Sequence, residues 1–189
     1  LLADNSLLVH GLWLNRKEVD KLNEKGCFFA HNPRSNMNNH VGYCQELGNV
    51  KNLVIGTDGC GGNMFEELKL AFFKHKDAGG PWWPGDFTTA LTRGNLILER
   101  YFGEQFGRIE PGYKADLVVL DYQSPTPMVA DNAASHLVWG VSSNAVHSVM
   151  VEGRFVMENR RFPFDVQEIY AKATEVASRV WQKVDRIAP

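Results

Sequence analysis

The chain lacks any apolar run approaching the roughly 20 residues needed to cross a bilayer. Its longest, such as Leu117 to Leu120 and Ala71 to Phe73, extend only a few residues, so neither a transmembrane helix nor a membrane partner is expected. It also lacks an excess of one charge: 20 Lys plus Arg face 22 Asp plus Glu, a formal net charge of -2, with the signs mixed along the chain. Nucleic acid is therefore excluded as an expected partner. Cys27, Cys44 and Cys60 form no CxxC pair, which argues against a disulfide framework or a cysteine zinc site and suits a reducing cytoplasm. No GxSxG elbow is present, and Gly59-Cys60-Gly61-Gly62 lacks a GK[ST] ending, so a serine triad and a phosphate cradle have no support. The start Leu1-Leu2-Ala3-Asp4 carries no initiator Met and no leader pattern, and reads as the middle of a longer chain.

What is present is a globular composition, 44% hydrophobic, and a repeated plan in the first 58 residues. Leu7-Leu8-Val9 runs into His10, Phe28-Phe29-Ala30 into His31, and Leu53-Val54-Ile55-Gly56-Thr57 into Asp58. Between the first two runs, Asn15 with Glu18 makes a capping box, Val19 and Leu22 share a face, and Gly26 ends the helix. Between the second and third, Ser35 is expected to cap a short helix carrying Val41, Cys44 and Leu47. Phe65, Leu68 and Phe72 continue the pattern as a helical stripe. Three successive βα units predict parallel strands whose C-terminal ends share one mouth, as in a (β/α) barrel. Three units cannot close an eight-stranded barrel, so the rest is expected outside this sequence.

From Gly79 to Gly85 the chain is rich in helix breakers, and a helical stretch is expected from about Phe87 to Tyr101. Trp82 and Trp83 in this loop are read first as packing residues, with closure over a flat substrate left open. Pro111-Gly112 suits a type II turn, Asp116 to Asp121 a strand, and Val146 to Val151 with Phe155 to Met157 a hairpin around Gly153. The spacing of Ile169, Ala173, Val176, Val180, Val184 and Ile187 predicts an amphipathic helix over Asp165 to Arg186, expected to cover the β subdomain in preference to serving a partner subunit. The domain organisation is thus a barrel portion over 1–103, a β subdomain over 104–163 and a C-terminal helix over 164–189.

Asp58 stands at the end of an apolar strand between glycine-rich segments. A carboxylate there suits a metal ligand, because a buried charge must be paired or coordinated; a helix N-cap ahead of the Phe65 helix is equally open. His10 and His31 at the other strand ends suit Zn, Fe or Ni as neutral imidazoles, or serve as hydrogen-bonded structural residues. His40, His75, His136 and His147 are assigned no chemistry. Cys60 is either a reactive thiol or a small buried residue.

Several segments, in one order along most of the chain, resemble the amidohydrolase superfamily in its cytosine, guanine and triazine aminohydrolase branch. Leu8-Val9-His10-Gly11 is similar to the end of barrel strand six, Ala30-His31-Asn32-Pro33-Arg34-Ser35-Asn36 to strand seven and its loop, and Gly56-Thr57-Asp58-Gly59 to strand eight. Gly107 to Leu117 resembles the exit into a composite β-sandwich, and Val151-Glu152-Gly153-Arg154 its closing hairpin. Met64 to Leu68, Asp77 to Pro81, and Leu120-Asp121-Tyr122 with Pro125-Thr126-Pro127 resemble the SsnA-type aminohydrolases most.

The resemblance implies an α/β fold: the last strands and helices of a (β/α)8 TIM-type barrel, part of a small β-sandwich and a C-terminal helix. It implies hydrolysis of a non-peptide C–N bond in a small heterocycle or amidine by metal-activated water, with one or two divalent ions, Zn first and Fe second. Asp58 would bind metal and take a proton from the water. His10 would bond the water, or bind metal in two-metal relatives. His31 would line the substrate pocket, with Asn36 nearer its rim. The HxH pair and HxxE motif of such enzymes are absent from this sequence, so a missing N-terminal half would have to supply them. A homodimer is the default assembly. A non-catalytic barrel that binds or assembles is the alternative reading, and a self-sufficient α/β binding module a third.

Overall fold

Short β-rich runs alternating with capped helices dictate a parallel sheet, because each helix returns the chain to the same edge-on direction. The computed structural model describes residues 2–187 and contains this sheet as β1 (Leu7–Val9), β2 (Phe28–His31) and β3 (Leu53–Ile55), all parallel in the order β1-β2-β3. β2 is buried along its whole length, as a central parallel strand should be, whereas Leu7 and Val9 on the outer strand remain 44% and 45% exposed.

Helix α1 (Arg16–Glu24) follows β1, and its start is the expected capping box: the Asn15 side chain accepts from the Glu18 N–H, and the Glu18 carboxylate accepts from the Asn15 N–H at 2.9 Å. Its buried residues, Val19 and Leu22, meet Phe29, Leu47 and Leu53 in one core cluster. The next helix departs from expectation. Ser35 is not its cap. α2 spans Pro33–Asn38, with Asn32 ahead of it and Pro33 at the first position, where a fixed φ and a missing N–H cost nothing. Val41 and Cys44 lie beyond it, after His40 leaves the helical region at φ 52°, and Leu47 belongs to a single 3-10 turn, Leu47–Asn49.

α3 (Met64–Asp77) and α4 (Pro84–Thr92) enclose a second core of Leu68, Ala71, Phe72, Phe87 and Val138. The expected helical stretch from 87 to 101 is present as two helices: α4 ends at Thr92 and α5 (Gly94–Phe102) starts after Arg93. Gly94 supplies the weak point, since glycine costs about 1 kcal/mol in a helix interior. Ile97 of α5 packs on the sheet face formed by Phe28, Ala30 and Val54. Of the two tryptophans, Trp82 packs against both cores; Trp83 is 62% exposed under the Lys76 ammonium.

A second, antiparallel sheet joins β4 (Leu117–Leu120), β5 (Val146–Val151) and β6 (Arg154–Met157). The β5–β6 turn uses positive φ at both Glu152 and Gly153, matching the right-handed twist of the strands. The expected type II turn is present, with Gly112 at φ 93° and Tyr113 N–H donating to the Glu110 carbonyl at 3.2 Å. Between β4 and β5 the chain adds α6 (Ala130–Ser135) and one wider turn, His136–Gly140. α7 (Val166–Asp185) forms where expected, with Asp165 accepting from the N–H groups of Gln167 and Glu168. It does not cover the β subdomain: none of its residues is buried, and its apolar stripe, Val176, Val180 and Trp181 among it, faces outward. No helix among the described residues is long and apolar enough to cross a membrane.

Candidate active site at the ends of three parallel strands

Because β1, β2 and β3 run in one direction, the residues that follow them gather at one end of the sheet. His10 comes immediately after β1, His31 is the last residue of β2, and Asp58 opens a 3-10 turn (Asp58–Cys60) after β3. His10 and Asp58 both hold left-handed backbone conformations, φ 67° and φ 50°. Such geometry is uncommon outside glycine and concentrates at functional sites. It aims the two side chains at each other across β2: His10 Nε2 stands 3.6 Å from Asp58 Oδ2, with both side chains about 40% exposed.

The first turn of α2 holds both of them. Asn36 Oδ1 lies 2.9 Å from His10 Nδ1. With the amide oxygen accepting, Nδ1 carries a hydrogen and Nε2 is the ring nitrogen that faces Asp58. Ser35 Oγ donates to Asp58 Oδ2 at 2.6 Å, and the Gly59 N–H donates to Oδ1 at 2.8 Å. The Ser35 hydroxyl first, and then the Gly59 N–H, hold the Asp58 carboxyl below the usual carboxylate range. The role of helix cap is filled by another residue: the Asn63 side chain accepts from the Glu66 N–H at the start of α3. Asp58 is therefore free of that duty.

His31 is enclosed, with 0% exposure, and neither ring nitrogen has a protein partner. Burial first, then the neighbouring His75 and His10, lowers its pKa to about 3, so the ring is neutral at physiological pH. Asn36, expected nearer a rim, is also buried, with its Nδ2 unpartnered. His75, to which the sequence assigned nothing, is buried on α3. It accepts the Trp82 N–H at Nε2, 3.0 Å, and Tyr43 Oη lies 2.5 Å from Nδ1. Ser35 and Arg34 were likewise missed; a polar residue in a loop motif gives no sign of which strand end it will reach. Cys60 is exposed on the turn that Asp58 opens, not buried.

The donor set of Asp58 and His10, one carboxylate and one imidazole, suits a divalent transition metal. A catalytic zinc takes three protein ligands, and among the described residues no group of three His, Cys, Asp or Glu side chains is placed to hold an ion. Asp58 and His10 are two ligand-type side chains, one short of that number.

The sequence profile of the Amidohydrolase family matches residues 1–156. This chain belongs to the amidohydrolase family. A 5′-deoxyadenosine deaminase of Methanopyrus kandleri is 35% identical over 192 residues, spanning 95% of this chain and 44% of that protein. A 5-methylthioadenosine/S-adenosylhomocysteine deaminase of Syntrophomonas wolfei is 30% identical over 184 residues, spanning 92% of this chain and 43% of that protein. Among solved structures, an adenosine deaminase from Xanthomonas campestris with bound zinc superposes with a TM-score of 0.76 at 27% identity, covering 96% of this chain and 44% of the other. The chain thus spans less than half the length of the amidohydrolases it matches.

Proposed function

We propose that this amidohydrolase chain is the C-terminal part of a metal-dependent aminohydrolase that releases ammonia from an amino-bearing carbon of a small heterocycle. The single observation that carries the reading is the Asp58 carboxylate facing His10 Nε2 at 3.6 Å, with α2 fixing each. In this reading the three parallel strands are the last of a (β/α)8 barrel over 1–103, the antiparallel sheet is part of a β-sandwich over 104–163, and α7 lies in a third segment over 164–189. The exposed outer edge of β1 is then where a preceding strand pairs. A homodimer in the cytoplasm is the proposed setting.

Asp58, and His10 if a second ion is held, would be this chain's ligands to a divalent metal, Zn before Fe. A bound divalent metal would activate water as a nucleophile at neutral pH. Asp58, kept ionised by the Ser35 hydroxyl, accepts the proton of the attacking water and passes it towards the departing ammonia. His10 Nε2 accepts a hydrogen bond from that water, its ring held at Nδ1 by Asn36. His31, neutral and enclosed, walls the substrate side without carrying charge.

Adenine nucleosides are the first substrates to test, since similar proteins are named as deaminases of that class. The test is ammonia release by the complete protein, stripped of metal and then reloaded with zinc, on adenosine, 5′-deoxyadenosine and aminated heterocycles lacking ribose. Release that appears only with metal supports the proposal. Tight substrate binding without release under any metal supports the non-catalytic alternative.

A further inference from the structure

Arg34 touches neither Asp58 nor His10, yet it occupies the centre of the polar contacts behind them. Its backbone N–H donates to Glu67 Oε1 at 3.0 Å and its Nε to Glu67 Oε2 at 2.5 Å, and the Glu67 side chain is fully buried in α3. One terminal nitrogen donates to Glu66 Oε2 at 2.7 Å and the other to the Gly61 carbonyl at 2.6 Å. Gly61 ends the 3-10 turn that Asp58 begins, and it holds φ 87°, so the turn is bounded by positive φ at both ends. The Asp58 carboxylate is thereby fixed from two directions: the Ser35 hydroxyl grips its head, and Arg34, the preceding residue, grips the backbone three residues on. Beside the His10 contact, the hydrogen bonds that tie the Asp58–Gly61 turn to a helix come from Ser35 and Arg34, both of α2.

A guanidinium suits this task because its planar fork serves several acceptors at fixed angles, which a lysine ammonium cannot do. We infer that Arg34 is a positioning residue for Asp58, acting through the Gly61 carbonyl and anchored by the buried Glu67. The inference rests on Asp58 being a metal ligand, as proposed above. Its consequence is that metal affinity depends on the fork and not merely on the neutralisation of Glu67.

The test compares the complete protein with its Arg34→Lys variant, the double variant Arg34→Met with Glu67→Leu, and Asp58→Asn, reading zinc affinity by chelator competition together with thermal melting. Arg34→Lys keeps the charge beside Glu67 and loses the reach to Gly61; zinc affinity is expected to fall by about tenfold, the lower end of what supporting residues contribute. The double variant removes the buried charge and the fork together; it is expected to melt near the parent temperature while its zinc affinity stays low. A purely structural Arg34 would instead recover affinity along with stability in the double variant, and parental affinity in either variant overturns the inference. If the double variant does not fold, Arg34→Lys alone decides by the same criterion. Asp58→Asn separates the two ideas: if it leaves zinc binding unchanged, the metal reading itself fails, whereas loss of zinc there with parental affinity in the Arg34 variants sinks only the positioning role.

Discussion

His10 Nδ1 sits 2.9 Å from Asn36 Oδ1, and this one contact sets which nitrogen of the histidine faces the mouth. With Nδ1 donating to the amide, Nε2 is left to face Asp58, and an apolar residue in place of the amide would free the ring to turn. Asn36→Leu in the complete protein is accordingly expected to lower kcat by roughly 10- to 100-fold with a smaller change in KM. Steady-state kinetics check this. An unchanged kcat would mean that His10 does not need this orientation.

The enclosed His31 makes a prediction about acid stability. Its pKa in the folded chain is lowered from 6.5 to about 3, so the unfolded chain binds a proton over that interval and the folded chain does not. Stability from this group is fully present above about pH 6.5 and falls as pH drops, by up to about 1.4 kcal/mol per pH unit, until the folded ring itself protonates near pH 3. His31→Leu should flatten that part of the acid limb in denaturant titrations at pH 7, 5.5 and 4.5. An undiminished slope would place the proton uptake elsewhere.

Gly80 lies against the His75 ring, and a Cβ there would overlap the ring atoms. Gly80→Ala must push His75 off the Trp82 N–H and is expected to cost about 1–3 kcal/mol. Gly85, within α4, has open space around it, and Gly85→Ala should stabilise by several tenths of a kcal/mol. Thermal melts of the two variants should move in opposite directions.

The parallel sheet was legible in the sequence because its apolar runs are short and separated by helical segments, the first of them marked by the Asn15–Glu18 capping box. The same signals placed His10, His31 and Asp58 at strand ends. The α2 boundary was not legible, because Ser35 is a favoured cap by residue type, whereas the helix starts two residues earlier at Pro33 with no side-chain cap bond. The break at Arg93 was missed because the apolar spacing continues across it. The bonds of Arg34 to Glu67, Ser35 to Asp58 and Asn36 to His10 span 33, 23 and 26 residues, separations at which local pattern carries no information. The outward face of α7 was invisible for the opposite reason: an amphipathic stripe announces that a partner is wanted and not where it is.

That exposed stripe, with the uncovered outer edge of β1, bears on the chain expressed alone. Val176, Val180, Trp181 and Val184 stay between 47% and 65% exposed, far more apolar surface than an isolated domain tolerates. The chain by itself is expected to self-associate and to bind a hydrophobic dye. A sharp monomeric elution with cooperative melting would favour the self-sufficient module instead.

The central claim is that Asp58 is both a metal ligand and the proton acceptor of an aminohydrolase. Asp58→Asn in the complete protein keeps the shape and the Gly59 and Ser35 neighbours while removing the charge. Metal content and ammonia release measured together on that variant test the claim most directly: the account predicts that metal-dependent release is abolished and metal occupancy falls, whereas parental occupancy with parental turnover would contradict it.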